Sequence, residues 1–225
     1  SVISAVVSNL SARGIERKKI SLADEINDLN NEVSENDSAE FRSRFPLIEN
    51  FFHKLTEYYP KDIQVFDDNI IFAQNFFNVS CDNRYYPNSG VSSLGHAIPA
   101  AIGARFSEHK PTFAILGDGG FQMCCMEIMT AVNYNLPLTI VMLNNSTMGL
   151  IRKNQQQQYE KRFINCDFVN PDYEYLAKSF DINYKRVTEE TSLDDLFTSL
   201  DCTDSINLIE IMIDKDLFPS YTSRR

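Results

Sequence analysis

Tryptophan is absent from this 225-residue chain, and histidine occurs only three times. Basic residues are outnumbered: 21 Lys and Arg against 31 Asp and Glu leave a formal net charge of −10. A nucleic-acid binder needs concentrated Lys and Arg to displace counterions from phosphates, so that class is excluded. A small phosphorylated ligand is not excluded, because backbone amides or a metal ion can hold a phosphate without basic side chains. No stretch approaches the roughly 18–20 uninterrupted apolar residues of a membrane span. The apolar-leaning start, Ser1–Leu10, has no basic leader before it, so neither a membrane segment nor a signal peptide is expected. The five cysteines, Cys81, Cys124, Cys125, Cys166 and Cys202, are odd in number and form no CxxC pair. They read as reduced thiols of a cytoplasmic protein, not as zinc ligands or disulfides.

What is present is a hydrophobic content of 43%, enough for one substantial core with an appendage. Arg17–Phe45 is charged and polar, and "NDLNNEVSENDSAE" reads as an exposed helix or linker. A domain boundary is expected near Arg44–Pro46. Beyond it, Leu47, Phe51, Phe52, Leu55 and Tyr58 recur at helical spacing until Pro60. "IQVFDD" (63–68) is a short strand, 70–77 an aromatic helix, and "SGVSSLGHAIPAAIGARF" (89–106) a small-residue loop leading into an Ala-rich helix. Two buried strands, 111–120 and 136–145, flank a helix predicted over 121–135. Further helices are predicted at 173–180 and 193–200, with a last strand at 206–213. Continuous apolar strands alternating with helices predict an α/β fold, an open and mostly parallel sheet with helices on both faces. Ligands of such sheets sit beyond the carboxyl ends of the strands.

Two loops leave strands at that end. The first is Gly117-Asp118-Gly119-Gly120, where glycines permit a sharp turn and close approach to a ligand, and the following helix start offers amides to an anion. A carboxylate at Asp118, in a place suited to phosphate, makes sense if a hard divalent cation joins the two. The second is Asn144-Asn145-Ser146-Thr147-Met148-Gly149. One strand–helix–strand unit separates the loops, so a right-handed crossover sets them side by side. Asn145 can add an amide oxygen, and an irregular turn can add a main-chain carbonyl. Either loop alone is an ordinary turn; the pair, at this separation, is specific.

The pair "GDGG" and "NN" resembles the thiamine-diphosphate motif, and "SGVSSLGHAIPAAIGARF" resembles the loop and helix that precede it in the same family. "MGLIRKNQQQQYEKRF" is similar to the acetolactate synthase branch. The resemblance covers Pro46 to Pro219 and implies the C-terminal, pyrophosphate-binding domain (46–225), with 1–45 as linker and tail of an upstream middle domain. It implies that Asp118, Asn145 and the carbonyl of Thr147 bind Mg²⁺. It further implies that Gly119 and Gly120 amides, next to Gly117, hold the diphosphate of thiamine diphosphate. Leu94 would wedge beneath the cofactor, the Ser92 carbonyl would accept from its aminopyrimidine, and Met148 and Gly149 would lie against it. The activating glutamate of the family belongs to another domain, so no catalytic side chain is expected in this chain. Any FAD would likewise belong to the full-length protein.

The expected activity is decarboxylation of a 2-oxoacid such as pyruvate, with transfer of the two-carbon unit to a second 2-oxoacid, in a homo-oligomer. Ile151 stands where simple decarboxylases often carry an acid, and an apolar residue there favours carbon–carbon bond formation. The rivals are a non-ligating decarboxylase of a phosphono-, sulfo- or arylpyruvate and a non-catalytic subunit that keeps the fold. Two features depart from the family pattern. "FDDNIIFAQ" lacks the glycine of an Asp-x-Gly segment and sets Asp67 and Asp68 where acids would oppose a diphosphate. Asn154 stands near the usual Trp of the Gln-rich stretch. His53 and His109 are expected to be structural or solvent-exposed, His96 to start a helix, and Phe72, Phe76 and Phe77 to belong to the core.

Overall fold

The computed structural model of the chain describes residues 44–217. Contacts divide the chain between Ser43 and Arg44; the expected linker before that point lies outside the described residues. A six-stranded sheet runs through the described part in the order β2-β1-β3-β4-β6-β5, and every neighbouring pair is parallel. Its strands are β1 (Gln64–Asp67), β2 (Arg84–Pro87), β3 (Thr112–Gly117), β4 (Leu138–Asn144), β5 (Asn183–Val187) and β6 (Ile206–Met212). The helices are α1 (Pro46–Tyr58), α2 (Ile71–Phe76), α3 (Ala97–Arg105), α4 (Asp118–Cys124), α5 (Ile128–Asn133), α6 (Gly149–Gln158), α7 (Tyr173–Phe180) and α8 (Leu193–Ser199). None of the described helices is long and apolar enough to cross a membrane.

Burial on both faces follows from the strand sequences. Along β3, Ala114 and Leu116 join a cluster with Ala97, Ala101, Ile128, Tyr173 and Ala177, contributed by α3, α5 and α7. Phe113 points the other way, as strand pleating requires, and its ring meets Tyr59 edge-on at 5.3 Å. On α1, Phe51 and Phe52 are fully buried, and Phe51 packs on Phe197 of α8 at 5.2 Å. The α1 stripe is rotated slightly from the predicted one: Ile48 is buried while Tyr58 is exposed. Phe76 and Phe77 are buried as expected, and Phe72 packs against Phe45 and Phe76.

Two outer strands escape the hydrophobic pattern. β2 and β5 are largely exposed and polar, and as sheet edges each needs apolar side chains on little more than one side. The single helix predicted over 121–135 is also corrected. Helix α4 begins at Asp118, inside the Gly turn, and Cys124 leaves helical geometry at φ −135°. A 3₁₀ turn at Cys125–Glu127 then leads into α5.

The strand order fixes where a ligand can enter. From β1 the chain moves outward to β2, then returns past β1 to β3. The crevice between the carboxyl ends of β1 and β3 is therefore the switch point at which doubly wound sheets bind ligands. Asp68 follows β1, and Asp118 follows β3. Replacing Phe51 by alanine is expected to lower unfolding free energy by about 3–5 kcal/mol. Val91→Ala, at a site 83% exposed, should leave the denaturation midpoint within about 0.5 kcal/mol of the parent.

Candidate cofactor and metal site

Four chain segments meet at the carboxyl edge of the sheet: those following β1, β2, β3 and β4. β3 and β4 are in register up to Gly117 and Leu143, so the turns that leave them start side by side. Asp118, the second residue of the first turn, is 1% exposed. Its Oδ2 accepts the Ser146 N–H of the second turn at 2.7 Å and Asn170 Nδ2 at 2.8 Å. Its Oδ1 accepts the neighbouring Gly119 N–H, at 3.1 Å. Burial pushes the Asp118 pKa up against the pull of these donors, all of them neutral. The two turns singled out in the sequence are thus joined by a direct hydrogen bond. The carboxylate that joins them carries a charge with no cationic partner among the described residues.

The rest of the second turn is irregular. Ser146 adopts φ +53°, and the Asn145 Oδ1 accepts the Thr147 N–H at 3.2 Å. Thr147 is buried, and its hydroxyl donates to the Cys166 carbonyl at 2.9 Å. Met148 N–H donates to the same carbonyl at 2.8 Å, so the segment around Cys166 braces the turn. Below it, the buried Arg152 guanidinium pairs with Asp167 and Asp216 at 2.9 and 2.6 Å and lies over the Phe163 ring. The first turn is tight at its last two glycines. A Cβ on Gly119 would stand 2.7 Å from Met148 Sδ, and one on Gly120 would stand 2.7 Å from Asp68 Oδ2.

Asp68 explains the second of those limits, and its role was not legible in the sequence. Its Oδ2 accepts Gly95 N–H at 2.6 Å, and its Oδ1 accepts His96 and Ala97 N–H at 2.8 and 2.7 Å. These are free donors at the start of α3, which a carboxylate satisfies well. Burial still raises the Asp68 pKa, outweighing all three N–H donors. Asp67 is likewise turned inward, accepting Tyr85 OH at 2.6 Å and Ile70 N–H at 2.8 Å; burial lifts its pKa to about 6. Both acids have backbone or phenol donors, and Asn69 ties Gln74 Nε2 to Ser92 Oγ. His96 is the α3 cap residue, and His53 and His109 are exposed.

The segment after β2 carries Ser92 at φ +55° and Leu94 at 38% exposure. Gly95, next to Leu94, approaches α4: a Cβ there would lie 3.3 Å from Met123 Cβ and 3.7 Å from the Gly120 carbonyl. Ser92, Leu94, Gly117, Asp118, Gly119, Gly120, Asn145, Thr147, Met148 and Gly149 therefore lie on three adjoining segments. Asn170 completes the group and was missed. It precedes α7, in a stretch where only the helix cap Asp172 carries a local signal. Nothing in "NPDYEYL" tells that its first side chain reaches back to Asp118.

The model of the "Thiamine pyrophosphate enzyme, C-terminal TPP binding domain" family matches residues 69–211. This chain belongs to that family. Among its relatives, the acetolactate synthase large subunit of Lactococcus lactis is 33% identical over 144 residues, 59% of this chain and 25% of the relative. The Escherichia coli acetolactate synthase isozyme 2 large subunit is 30% identical over 145 residues, 64% of this chain and 26% of that one. The chain thus spans about a quarter of the length of these relatives. In three dimensions it resembles benzoylformate decarboxylase from Polynucleobacter necessarius, with a TM-score of 0.66. That likeness, at 22% identity over 76% of this chain and 34% of the other, is one of fold.

Removing the Asp68 carboxylate tests its place in this site. Asp68→Ala should cost about 1–3 kcal/mol of stability, the range for a lost helix cap with charged acceptors. Hydrogen exchange should speed up at Gly95, His96 and Ala97 and leave the β3 amides protected.

Proposed function

We propose that this domain holds the diphosphate of thiamine diphosphate through Mg²⁺, as part of a longer enzyme that joins two 2-oxoacids. The observation that carries the proposal is the Asp118 carboxylate, buried without a cation and bonded to the turn that contains Asn145 and Thr147. The donor set fits a hard cation. No three His, Cys, Asp or Glu side chains converge among the described residues, so a thiol–imidazole metal centre has no support here. A carboxylate, an amide oxygen and a main-chain carbonyl are the ligands Mg²⁺ prefers, and it leaves its other positions to water and phosphate oxygens.

In this reading Asp118, Asn145 and the Thr147 carbonyl hold the ion, and the Gly119 and Gly120 turn faces the diphosphate. Gly119 N–H now meets Asp118 Oδ1 at 3.1 Å, a long bond that a phosphate oxygen can replace. Leu94, part-exposed on the Asp68-anchored loop, sets the shape of the bound cofactor, and the Ser92 carbonyl and Met148 contact it from either side. Gly149 opens α6 beside the Asn145 amide. When bound, thiamine diphosphate supplies the electron sink that lets a 2-oxoacid lose CO₂. This chain's part is to grip, bend and shield the cofactor. Ile151, 47% exposed on α6, offers no proton to the reacting carbon, which favours transfer to a second 2-oxoacid over release of an aldehyde. Asn154, half-buried on the same helix, stands where the acetolactate branch tends to carry a Trp and supports the second reading, a non-ligating decarboxylase. In the same reading the activating glutamate and any FAD belong to the remainder of the full-length protein, a cytoplasmic homo-oligomer.

Calorimetry on the full-length protein should show thiamine diphosphate binding only when Mg²⁺ is present. Asp118→Ala should weaken it by about 100-fold or more, since it removes a ligand and not merely an outer partner. No binding by the parent protein would point to a subunit that has kept the fold without the cofactor. Products formed from pyruvate decide the reaction: a two-carbon transfer product supports ligation, and acetaldehyde alone rejects it.

A further inference from the structure

Behind Asp118 lies a run of polar side chains that the cofactor reading does not use. Glu210, on β6, is 1% exposed. Its Oε2 accepts Arg186 Nε at 2.8 Å and the Tyr184 hydroxyl, both from β5. Its Oε1 accepts Asn144 Nδ2, at the end of β4. Asn144 Oδ1 then accepts Asn170 Nδ2 at 2.7 Å and Ser146 N–H at 3.1 Å. The same Asn170 nitrogen donates to Asp118 Oδ2 at 2.8 Å, while Asn170 Oδ1 accepts Gln122 Nε2 and Tyr173 OH at 2.6 and 2.9 Å.

The direction of this relay is consistent from both ends, each of which is a carboxylate. An ionised carboxylate only accepts hydrogen bonds, so Glu210, paired with Arg186, forces Asn144 to present its NH₂ to it. Asn144 must then offer its oxygen to Asn170. Asn170, facing two oxygens, must turn its NH₂ toward them and so toward Asp118. A flipped Asn170 would set its own oxygen against the Asp118 carboxylate. The result is asymmetric: Oδ2 of Asp118 has two donors from other segments at 2.7 and 2.8 Å, whereas Oδ1 accepts the adjacent Gly119 N–H at 3.1 Å.

We infer that Glu210, through Asn144 and Asn170, is a positioning device for the metal carboxylate, holding Asp118 by Oδ2 so that Oδ1 is left for the cation. The inference rests on the Mg²⁺ reading above and names residues that never touch the ion. Groups that orient a ligand in this way typically matter by about 10–100-fold in metal affinity.

The test uses the full-length protein with Mn²⁺ as a spectroscopic probe, titrated by electron paramagnetic resonance in the presence of thiamine diphosphate. Asn170→Ala should weaken Mn²⁺ by about 10–100-fold, and saturating Mg²⁺ should restore turnover. Glu210→Gln, which lets an NH₂ face Asn144 and reverse the relay, should weaken it in the same range. The double variant should be no worse than the more affected single one, because residues acting in one chain are not additive. Unchanged Mn²⁺ affinity in Asn170→Ala overturns the inference, as do additive losses that follow thermal stability instead of Mg²⁺ concentration. If Glu210→Gln does not fold, Asn170→Ala decides alone. A parent protein that takes up no Mn²⁺ refutes the metal reading, and the positioning role falls with it.

Discussion

A buried carboxylate without a counter-charge is the constraint around which this edge of the molecule is organised. Taking an ionised group out of water costs several kcal/mol even after relaxation, and three neutral N–H donors return only part of that. The donors on Asp118 fail to hold its pKa down against burial. Unlike a carboxylate closed by a helix start, this one has an oxygen facing the turn of the proposed cofactor site, and a divalent ion would complete it better than another amide. The direct bond from Ser146 then matters for geometry: it ties the Asp118 carboxylate to the turn that carries Asn145 and Thr147.

The neighbouring Asp68 shows how the same residue type serves a different end fifty residues earlier in the chain. Its carboxylate is closed by three consecutive backbone N–H groups, which makes it a fastener between β1 and α3. Because Gly120 lies against it, the fastener also sets how closely the first turn can approach the Leu94 loop. The two acids that looked out of place beside a diphosphate are thus turned to the backbone and to Tyr85. Charge repulsion gives way to capping once the direction of each side chain is known.

The central strands and both turns were legible because their signals are local. β3 and β4 are unbroken apolar runs, and the turns carry glycine or doubled asparagine at strand ends. β2 and β5 were not, since edge strands such as "RYYP" and "NYKRV" alternate too weakly to stand apart from loop. The break at Cys124 was hidden as well: the apolar spacing from Phe121 to Val132 survives a 3₁₀ turn of only three residues. Asn170 and Glu210 were out of reach for a different reason. Each lies more than fifty residues from Asp118 in the chain, and β6 meets β4 only through a crossover that no spacing rule records.

That crossover gives the relay its meaning. β6 is inserted between β4 and β5, so a glutamate on it faces the last residue of β4 on one side and Arg186 and Tyr184 of β5 on the other. A carboxylate in the middle of a sheet would be a liability if its only task were stability, since an apolar residue of similar size commonly does as well or better. What an apolar side chain cannot do is impose a direction on an amide. Asn144 and Asn170 each have two near-isosteric orientations, and Glu210 acts with the Ser146 N–H and Asp118 itself to remove that choice. In the proposed relay the orientation of Asp118 is thus backed from β6, a strand that contributes no atom to the site itself.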